Sequence, residues 1–92
     1  MVMHWCVYMI LCSDDTLYTG ITCDVVRRYR QHAQKQGAKY FRGRSPKSLV
    51  YVESGHDHGS AARREIIIKK LSRGDKLQLI GSIHNQIEGF LG

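Results

Sequence analysis

The sequence predicts a small α+β domain, an α/β fold in the broad sense, with a three-stranded antiparallel sheet flanked by helices. The predicted element order is β-β-α-β-α-α. Its 92 residues suffice for one compact domain, and a hydrophobic content of 42% is enough for a packed core. Segments rich in β-branched and aromatic residues alternate with segments that carry helix caps. We therefore expect a single domain over residues 1–83 and a C-terminal tail over residues 84–92.

The first two strands are expected to form a hairpin. The composition of His4–Cys12 predicts a buried strand, Ser13–Thr16 a turn, and Leu17–Thr22 a second strand. Side chains alternate along strands, so Tyr8 and Tyr18 share a face only if the numbers of paired residues have an even sum. A regular two-residue turn gives an odd sum. We therefore predict a loop of odd length or a β-bulge between the strands.

A helix and a third strand follow the hairpin. Asp24 is a suitable N-cap for a helix over residues 25–36, and Gly37 is expected to end that helix. A basic loop over residues 37–46 then leads to a short strand over residues 48–53.

Two further helices complete the predicted domain. A polar loop over residues 54–59 precedes a helix over about 60–71, whose apolar positions recur at helical spacing. Ser72 and Asp75 resemble a capping box at the start of a last helix, which ends at about Ile83. The tail from residue 84 has few side chains that would order it: Ile87, Phe90 and Leu91.

Cysteine usage and the N-terminal residues indicate the compartment. The three cysteines form no C-x-x-C pair, so neither a disulfide framework nor a zinc knuckle is expected. Residues 1–12 are apolar but lack the basic flank and cleavage site of a signal peptide, and no stretch approaches the roughly 20 apolar residues of a membrane span. We expect a cytoplasmic protein without membrane contact.

Positive charge is concentrated in one window. The chain has 14 Lys and Arg against 8 Asp and Glu, and the window 25–52 holds eight basic residues and no acid. Aromatic residues interleave with these cations, a combination that suits a polyanion whose bases can be stacked. A solubilising surface is the alternative. We expect nucleic-acid contacts from Arg27, Arg30, Lys39, Tyr40, Arg42 and Arg44.

Five residues from four elements are candidates for a convergent site. Tyr8 and Tyr18 lie on the two hairpin strands, and Glu65 lies in the first turns of a later helix. Arg28 and His32 are four residues apart and so share one face of the first helix. Each also has an ordinary explanation: strand tyrosines pack, and Glu65 pairs with a lysine at i+4.

Taken together, these residues resemble the GIY-YIG nuclease family. The resemblance covers about residues 4–80 and is carried by Val7-Tyr8-Met9, Tyr18-Thr19-Gly20, Arg28 with His32, and Glu65. The segments 37–46 and 63–73 are similar to those of its small stand-alone members. The family includes homing endonucleases and an incision domain of excision repair, and it implies metal-dependent cleavage of DNA phosphodiesters.

The resemblance also implies residue roles. It places the family's two motif tyrosines, helix arginine, accompanying histidine and metal-binding glutamate on Tyr8, Tyr18, Arg28, His32 and Glu65. Ile21 stands where some members carry a lysine. Leu77 and Gln78 stand where many nuclease members place an asparagine.

Elementary chemistry agrees with these roles. Phosphodiester hydrolysis needs a nucleophile and a cation on the developing charge. Glu65 is the one acid set between cations on a helix, which favours a single Mg²⁺ or Mn²⁺ ion. Arg28 would clamp the phosphate, His32 relay a proton or orient water, and Tyr18 act as general base, with Tyr8 helping to hold the water.

The sequence therefore predicts a DNA endonuclease of low sequence specificity for branched, flapped or single-stranded DNA, acting in repair or recombination. A non-catalytic nucleic-acid-binding module with the same fold is the alternative. A third interpretation is a protein-interaction domain whose basic face meets an acidic partner.

Overall fold

The computed structural model describes residues 4–91, with side chains described as far as residue 89. Three strands, β1 (Trp5–Cys12), β2 (Leu17–Thr22) and β3 (Pro46–His56), form one antiparallel sheet in the order β2-β1-β3. The predicted fold class is confirmed, and so is the order β-β-α-β-α-α. The helices are α1 (Val25–Ala33), α2 (His58–Lys69) and α3 (Arg73–Ile80), with a 3₁₀ turn (Lys39–Arg42) before β3 and a short α4 (Glu88–Leu91) at the end.

The hairpin register confirms the predicted odd-length loop. Tyr8 pairs with Gly20 and Tyr18 with Ile10, so the paired numbers have an even sum and both tyrosines lie on one face. The loop consists of residues 13–15, and Asp15 adopts a left-handed conformation with φ 64°. A three-residue hairpin loop commonly ends in such a residue.

Alternate residues of β1 face two separate layers of core. Val7 and Met9 pack with Ala61 and Ile68 of α2, and we call this side of the sheet the α2 face. Tyr8 and its even-numbered neighbours pack on the opposite side, the α1 face, against the 3₁₀ turn and α1. The candidate tyrosines therefore lie beneath α1.

Several element boundaries differ from the prediction by two or three residues, and two of these differences have a clear physical reason. Helix α1 ends at Ala33, before Gly37, because Lys35 adopts φ 62° and Gln34 caps the helix. Strand β3 extends to His56, because it pairs with β1 over the length of that strand through three register shifts. Of the expected polar loop over residues 54–59, residues 54–56 therefore belong to β3 and residues 58–59 to α2, with Asp57 as the helix N-cap.

The C-terminal segment is more ordered than its composition predicts. The amide N–H of Gln86 donates to the carbonyl of Val52 at 2.8 Å, and Oδ1 of Asn85 accepts from the amide of Val52 at 3.2 Å. Nδ2 of Asn85 also donates to the carbonyls of Val50 and Ile80. The prediction was based on the few apolar side chains of this segment. Its polar groups hold it against the outer edge of β3.

Candidate active site

Tyr8, Tyr18 and His32 meet in an aromatic cluster between the sheet and α1. The ring centroids of Tyr8 and Tyr18 are 6.2 Å apart, and those of Tyr18 and His32 are 5.3 Å apart. Oη of Tyr8 lies 2.8 Å from Nε2 of His32. Phe41 of the 3₁₀ turn packs against Tyr18 and His32, with ring centroids 4.9 Å and 4.4 Å away. Three of the five candidate residues are therefore in contact.

Two glycines provide the space that this cluster occupies. A Cβ at Gly20 would lie 2.6 Å from Oη of Tyr8, and one at Gly37 would overlap Nδ1 of His32. Gly20 belongs to the motif Tyr18-Thr19-Gly20, so its position follows from the pairing of β1 with β2. Gly37 does not end α1. It allows the chain after that helix to pass over the imidazole ring.

The hydrogen bonds of His32 identify its tautomer. The backbone N–H of Ala38 donates to Nδ1 at 3.3 Å, so Nδ1 carries a lone pair. We assign the ring proton of the neutral imidazole to Nε2, which donates it to Oη of Tyr8. Because Tyr8 accepts this bond, its own hydroxyl proton is free to donate to another group.

Burial keeps both partners of this bond uncharged. The side chain of His32 is fully buried, and burial together with the charge of Arg28 lowers the pKa of His32 to about 4. Tyr8 is 1% exposed, and burial and the neighbouring Tyr18 raise the pKa of Tyr8 far above its ordinary value, although the nearby Arg28 opposes this shift. Tyr18 is the half-buried member of the cluster.

Arg28 lies on α1 with its guanidinium at the wall of a cavity. Its Nη1 donates to Oε1 of Gln31 at 3.1 Å, and both side chains line the cavity, whose volume is about 280 Å³. We call it the β2 cavity, because it lies where β2 ends and α1 begins. Trp5, Ile21, Thr22 and Asp24 also line it. Gln31 was not predicted as a site residue, although its i+3 spacing from Arg28 places the two side chains on one face of α1.

Glu65 lies on α2, on the other side of the sheet from the tyrosines. It is one turn from both Ala61 and Ile68, which pack on the α2 face, and its side chain is 22% exposed. Arg64 bonds to Glu53 of β3, so helical geometry directs Glu65 toward the opposite edge, that of β2. Within residues 4–91 its ion pair is with Nζ of Lys69 at 3.4 Å, and it has no hydrogen bond or ion pair with the other four candidates.

The donor set fits a single hydrated divalent ion. Among the described residues there is no group of three or more His, Cys, Asp or Glu side chains placed to hold a metal. Thr19 follows Tyr18 on β2, and its hydroxyl is buried on the α2 face without a hydrogen-bond partner in the described structure. A single carboxylate, that of Glu65, suits Mg²⁺, which usually keeps several of its waters.

The predicted nucleic-acid contacts divide into free and engaged residues. Arg27, Arg30, Lys39 and Arg42 are exposed and form no ion pair within the described part of the chain. Arg44 lies in the window 25–52, which contains no acidic residue, so no ion pair was predicted for it. Its Nε nevertheless lies 2.7 Å from Oδ2 of Asp14 in the hairpin loop, and its guanidinium stacks over the ring of Tyr40 at 4.0 Å.

A second polar network, around Glu53, was not expected from the sequence. The carboxylate of Glu53 accepts from Oη of Tyr51 at 2.6 Å, from Nε of Arg64 at 3.1 Å and from Nε2 of His56 at 2.7 Å. Nδ1 of His56 lies 2.9 Å from Oγ of Ser60. Because all of Glu53's partners belong to β3 and α2, this network joins the helix to the sheet.

The sheet topology and the order of these side chains along the chain are those of one class of protein. The family model of the GIY-YIG catalytic domain matches residues 4–78, so the chain belongs to the GIY-YIG family of nucleases. Its relatives are small proteins of similar length. It is 49% identical over 76 residues to a UPF0213 protein of Clostridium perfringens, covering 83% of this chain and 82% of that protein.

Two further relatives have comparable sequence identity to this chain. A UPF0213 protein of Halobacterium salinarum is 53% identical over 70 residues, which are 76% of this chain and 91% of the relative. The solution NMR structure of the UPF0213 protein BH0048 from Bacillus halodurans is 41% identical and superimposes with a TM-score of 0.56, covering 94% of this chain and 92% of that one. Within residues 4–91 no helix is both long and apolar enough to cross a membrane.

Proposed function

We propose that this protein is a divalent-metal-dependent DNA endonuclease of low sequence specificity, acting in the cytoplasm on branched, flapped or single-stranded DNA in repair or recombination. The observation that carries the proposal is the buried bond between Tyr8 and His32, held beside Tyr18 and Arg28. Apolar rings would fill the same space without the cost of burying two polar groups, so the choice of Tyr8 and His32 here favours a polar role.

Arg28 is the proposed phosphate clamp. Its planar guanidinium can grip two phosphate oxygens, and the bond to Gln31 restricts its rotation at the wall of the open cavity. The exposed cations Arg27, Arg30, Lys39 and Arg42 would then hold the flanking backbone. Because phosphate contacts carry no base information, sequence specificity is expected to be low.

Tyr18 is the proposed general base. Of the two tyrosines it is the half-buried one, whereas Tyr8 is sealed from water. Nε2–H of His32 donates to Tyr8, which leaves the hydroxyl proton of Tyr8 available to bond Oη of Tyr18. Such a bond would stabilise a phenolate on Tyr18 while a water molecule is being deprotonated.

His32 is therefore proposed as a positioning residue. Its burial and its pKa of about 4 keep it neutral at physiological pH, which favours an orienting role over a proton relay, the two roles that the sequence left open. Its role is to fix the orientation of the Tyr8 hydroxyl. In this chain, where Ile21 stands in place of a lysine, the bonds among His32, Tyr8 and Tyr18 would assist the base.

Glu65 is the residue that would hold the divalent ion, Mg²⁺ or Mn²⁺. The bound ion supplies positive charge that stabilises the charge developing on the phosphate. Arg28 on α1 and Glu65 on α2 lie on opposite faces of the sheet, so a scissile phosphate bound by both would have to lie at the edge of β2. Binding of the ion would require Glu65 to exchange its pair with Lys69, which is exposed and therefore weak.

A cleavage assay tests the proposal. End-labelled branched, flapped and single-stranded DNA is incubated with the protein and Mg²⁺ or Mn²⁺, beside Arg28→Ala and Glu65→Ala. The matched controls are Arg63→Ala and Glu88→Ala, which remove the same charges from exposed positions. Cleavage by the wild type and both controls, with at least about a 100-fold loss in the two site variants, is expected.

The same assay identifies the alternative. DNA binding by all five proteins without cleavage by any would contradict the nuclease and support a non-catalytic nucleic-acid-binding module. The departures from the family pattern at Ile21 and at Leu77 and Gln78 are the observations that favour that alternative. Absence of DNA affinity even at low salt would instead support a protein-interaction domain.

A further inference from the structure

We propose that the β2 cavity binds one unpaired base of a DNA strand, next to the phosphate held by Arg28. This proposal deepens the proposed function and rests on it, because the proposed function identifies the ligand as DNA. It names the substrate class as DNA in which a nucleotide can leave the helix, such as a flap, a bulge or a single strand.

The walls of the cavity suit a flat apolar ring. Trp5 and Ile21 form one side, on the α2 face of the sheet. The indole of Trp5 is held by an edge-to-face contact with His58, their ring centroids 4.6 Å apart. Every base has a π face, so stacking on an aromatic side chain binds bases without strong sequence preference.

Two arginines line the cavity, Arg27 and Arg28, and they suit the phosphates on either side of a nucleotide. The other polar groups, Gln31 and Asp24, suit the edge of a base. Oε1 of Gln31 is taken by Arg28, but its amide nitrogen donates no hydrogen bond within residues 4–91. Oδ1 of Asp24 caps α1 by accepting from the amide of Arg27, which leaves Oδ2 as an acceptor. A carboxylate repels a phosphate and accepts from an exocyclic amino group, so adenine, cytosine and guanine should bind better than thymine.

The dimensions exclude a base pair. A volume of about 280 Å³ lies just under the range of about 300 Å³ and above that is typical of clefts for drug-sized ligands, which suits a one- or two-ring group. A base inside a duplex is stacked and paired, and side chains reach its whole edge only after it has left the helix. Arg28 at the cavity wall would hold the phosphate of that same nucleotide.

The single tryptophan of the chain makes the proposal measurable, because Trp5 lines the cavity and is the only indole in the sequence. We would titrate the protein, in EDTA so that nothing is cleaved, with a duplex carrying a one-nucleotide bulge. The comparison is the same duplex with an abasic residue in the bulge. Quenching of Trp5 fluorescence and roughly 5- to 100-fold tighter binding of the base-containing DNA are expected.

Gln31→Ala tests the polar contact, with Gln34→Ala, at the exposed C-cap of the same helix and outside the cavity, as the matched control. Gln31→Ala should reduce the preference for the base over the abasic residue at least about threefold, whereas Gln34→Ala should leave that preference unchanged. A loss of affinity that is equal for both DNAs would mean that Gln31 acts only through Arg28, and it would contradict the base contact.

The outcomes separate this proposal from the nuclease itself. Equal affinity for the two duplexes with unchanged Trp5 fluorescence overturns the base site, even if the protein cleaves DNA when Mg²⁺ is added. Base-dependent quenching without cleavage in Mg²⁺ supports the base site and overturns the nuclease alone.

Discussion

Nε2 of His32 and Oη of Tyr8, 24 residues apart in the sequence, are joined by a buried hydrogen bond of 2.8 Å. The backbone of Ala38 holds the far side of the imidazole, so the ring is anchored at both nitrogens. This arrangement gives Tyr8 a fixed hydroxyl orientation under α1. It also makes the site depend on residues that carry no catalytic chemistry, beginning with the glycines that leave it room.

Gly37→Ala should destabilise the protein by about 1–3 kcal/mol, because the added Cβ overlaps Nδ1 of His32 and both the ring and the segment after α1 must move. Urea denaturation measures this change. The control is Gly43→Ala, since nothing lies within 4 Å of a Cβ at Gly43. Equal stability of the two variants would show that the imidazole is not held in this way.

Gly20→Ala should reduce cleavage about 100-fold while the protein stays folded. Its Cβ would lie 2.6 Å from Oη of Tyr8 and 3.0 Å from Cε2 of Tyr18, so the two phenols must separate. Initial rates on flapped DNA, with circular dichroism to verify folding, measure the effect. Full activity in this variant would argue against a contribution of the Tyr8 hydroxyl to the base.

Stability should fall as the pH is lowered from about 6.5 toward 4. The unfolded His32 gains a proton near its ordinary pKa of 6.5, whereas in the folded protein its pKa is about 4, so the unfolded state binds more protons in this window. The difference between these two pKa values of His32 corresponds to a loss of roughly 3 kcal/mol in the free energy of unfolding. This loss is complete only at a pH below the pKa of the folded protein. Urea midpoints across this pH range measure it, and His32→Asn should flatten the curve.

Glu53→Gln should destabilise the protein by about 2 kcal/mol, because the charged bonds to Arg64 and His56 are lost. Burial opposes ionisation of Glu53, but the hydrogen bonds from Tyr51 and His56 and the charge of Arg64 outweigh it and lower its pKa. Its contribution is thus present above the ordinary pKa of 4.5 and lost as the pH falls through the lower folded value. Glu88→Gln, at an exposed position, is the control.

The salt dependence of DNA binding should reflect five phosphate contacts, made by the Arg28 clamp and four exposed cations. The sequence offered five cations besides Arg28, but Arg44 is engaged by Asp14, which leaves Arg27, Arg30, Lys39 and Arg42. Log affinity for duplex DNA should then fall with log salt at a slope of about −4.5. Arg42→Ala should reduce the slope by about 0.9, and Arg44→Ala should leave it unchanged. A slope of about −5.4 that becomes shallower in Arg44→Ala would instead show that Arg44 contacts a phosphate as well.

The sequence by itself determined the features that depend on neighbouring residues. Alternation of side chains in the hairpin required an odd loop for the tyrosines to share a face, and the register agrees. Asp24 and Ser72 cap α1 and α3, because a cap needs only the amides of its own first turn. The spacing of Arg28 and His32 on one helix was likewise a local property. The family pattern consists of residue types in a given order along the chain and needs no knowledge of contacts, and the matching domain model confirms it.

Only the tertiary structure decided which partners those residues meet. Arg44 finds Asp14 thirty residues away, and Asn85 reaches the backbone of β3. The tautomer of His32 depends on the amide of Ala38 after α1 has ended. Hydrogen bonds act over about 3 Å, so they depend on which backbone segments packing brings together. A sequence pattern identifies the groups that can bond, and the packed core selects the pairs that do.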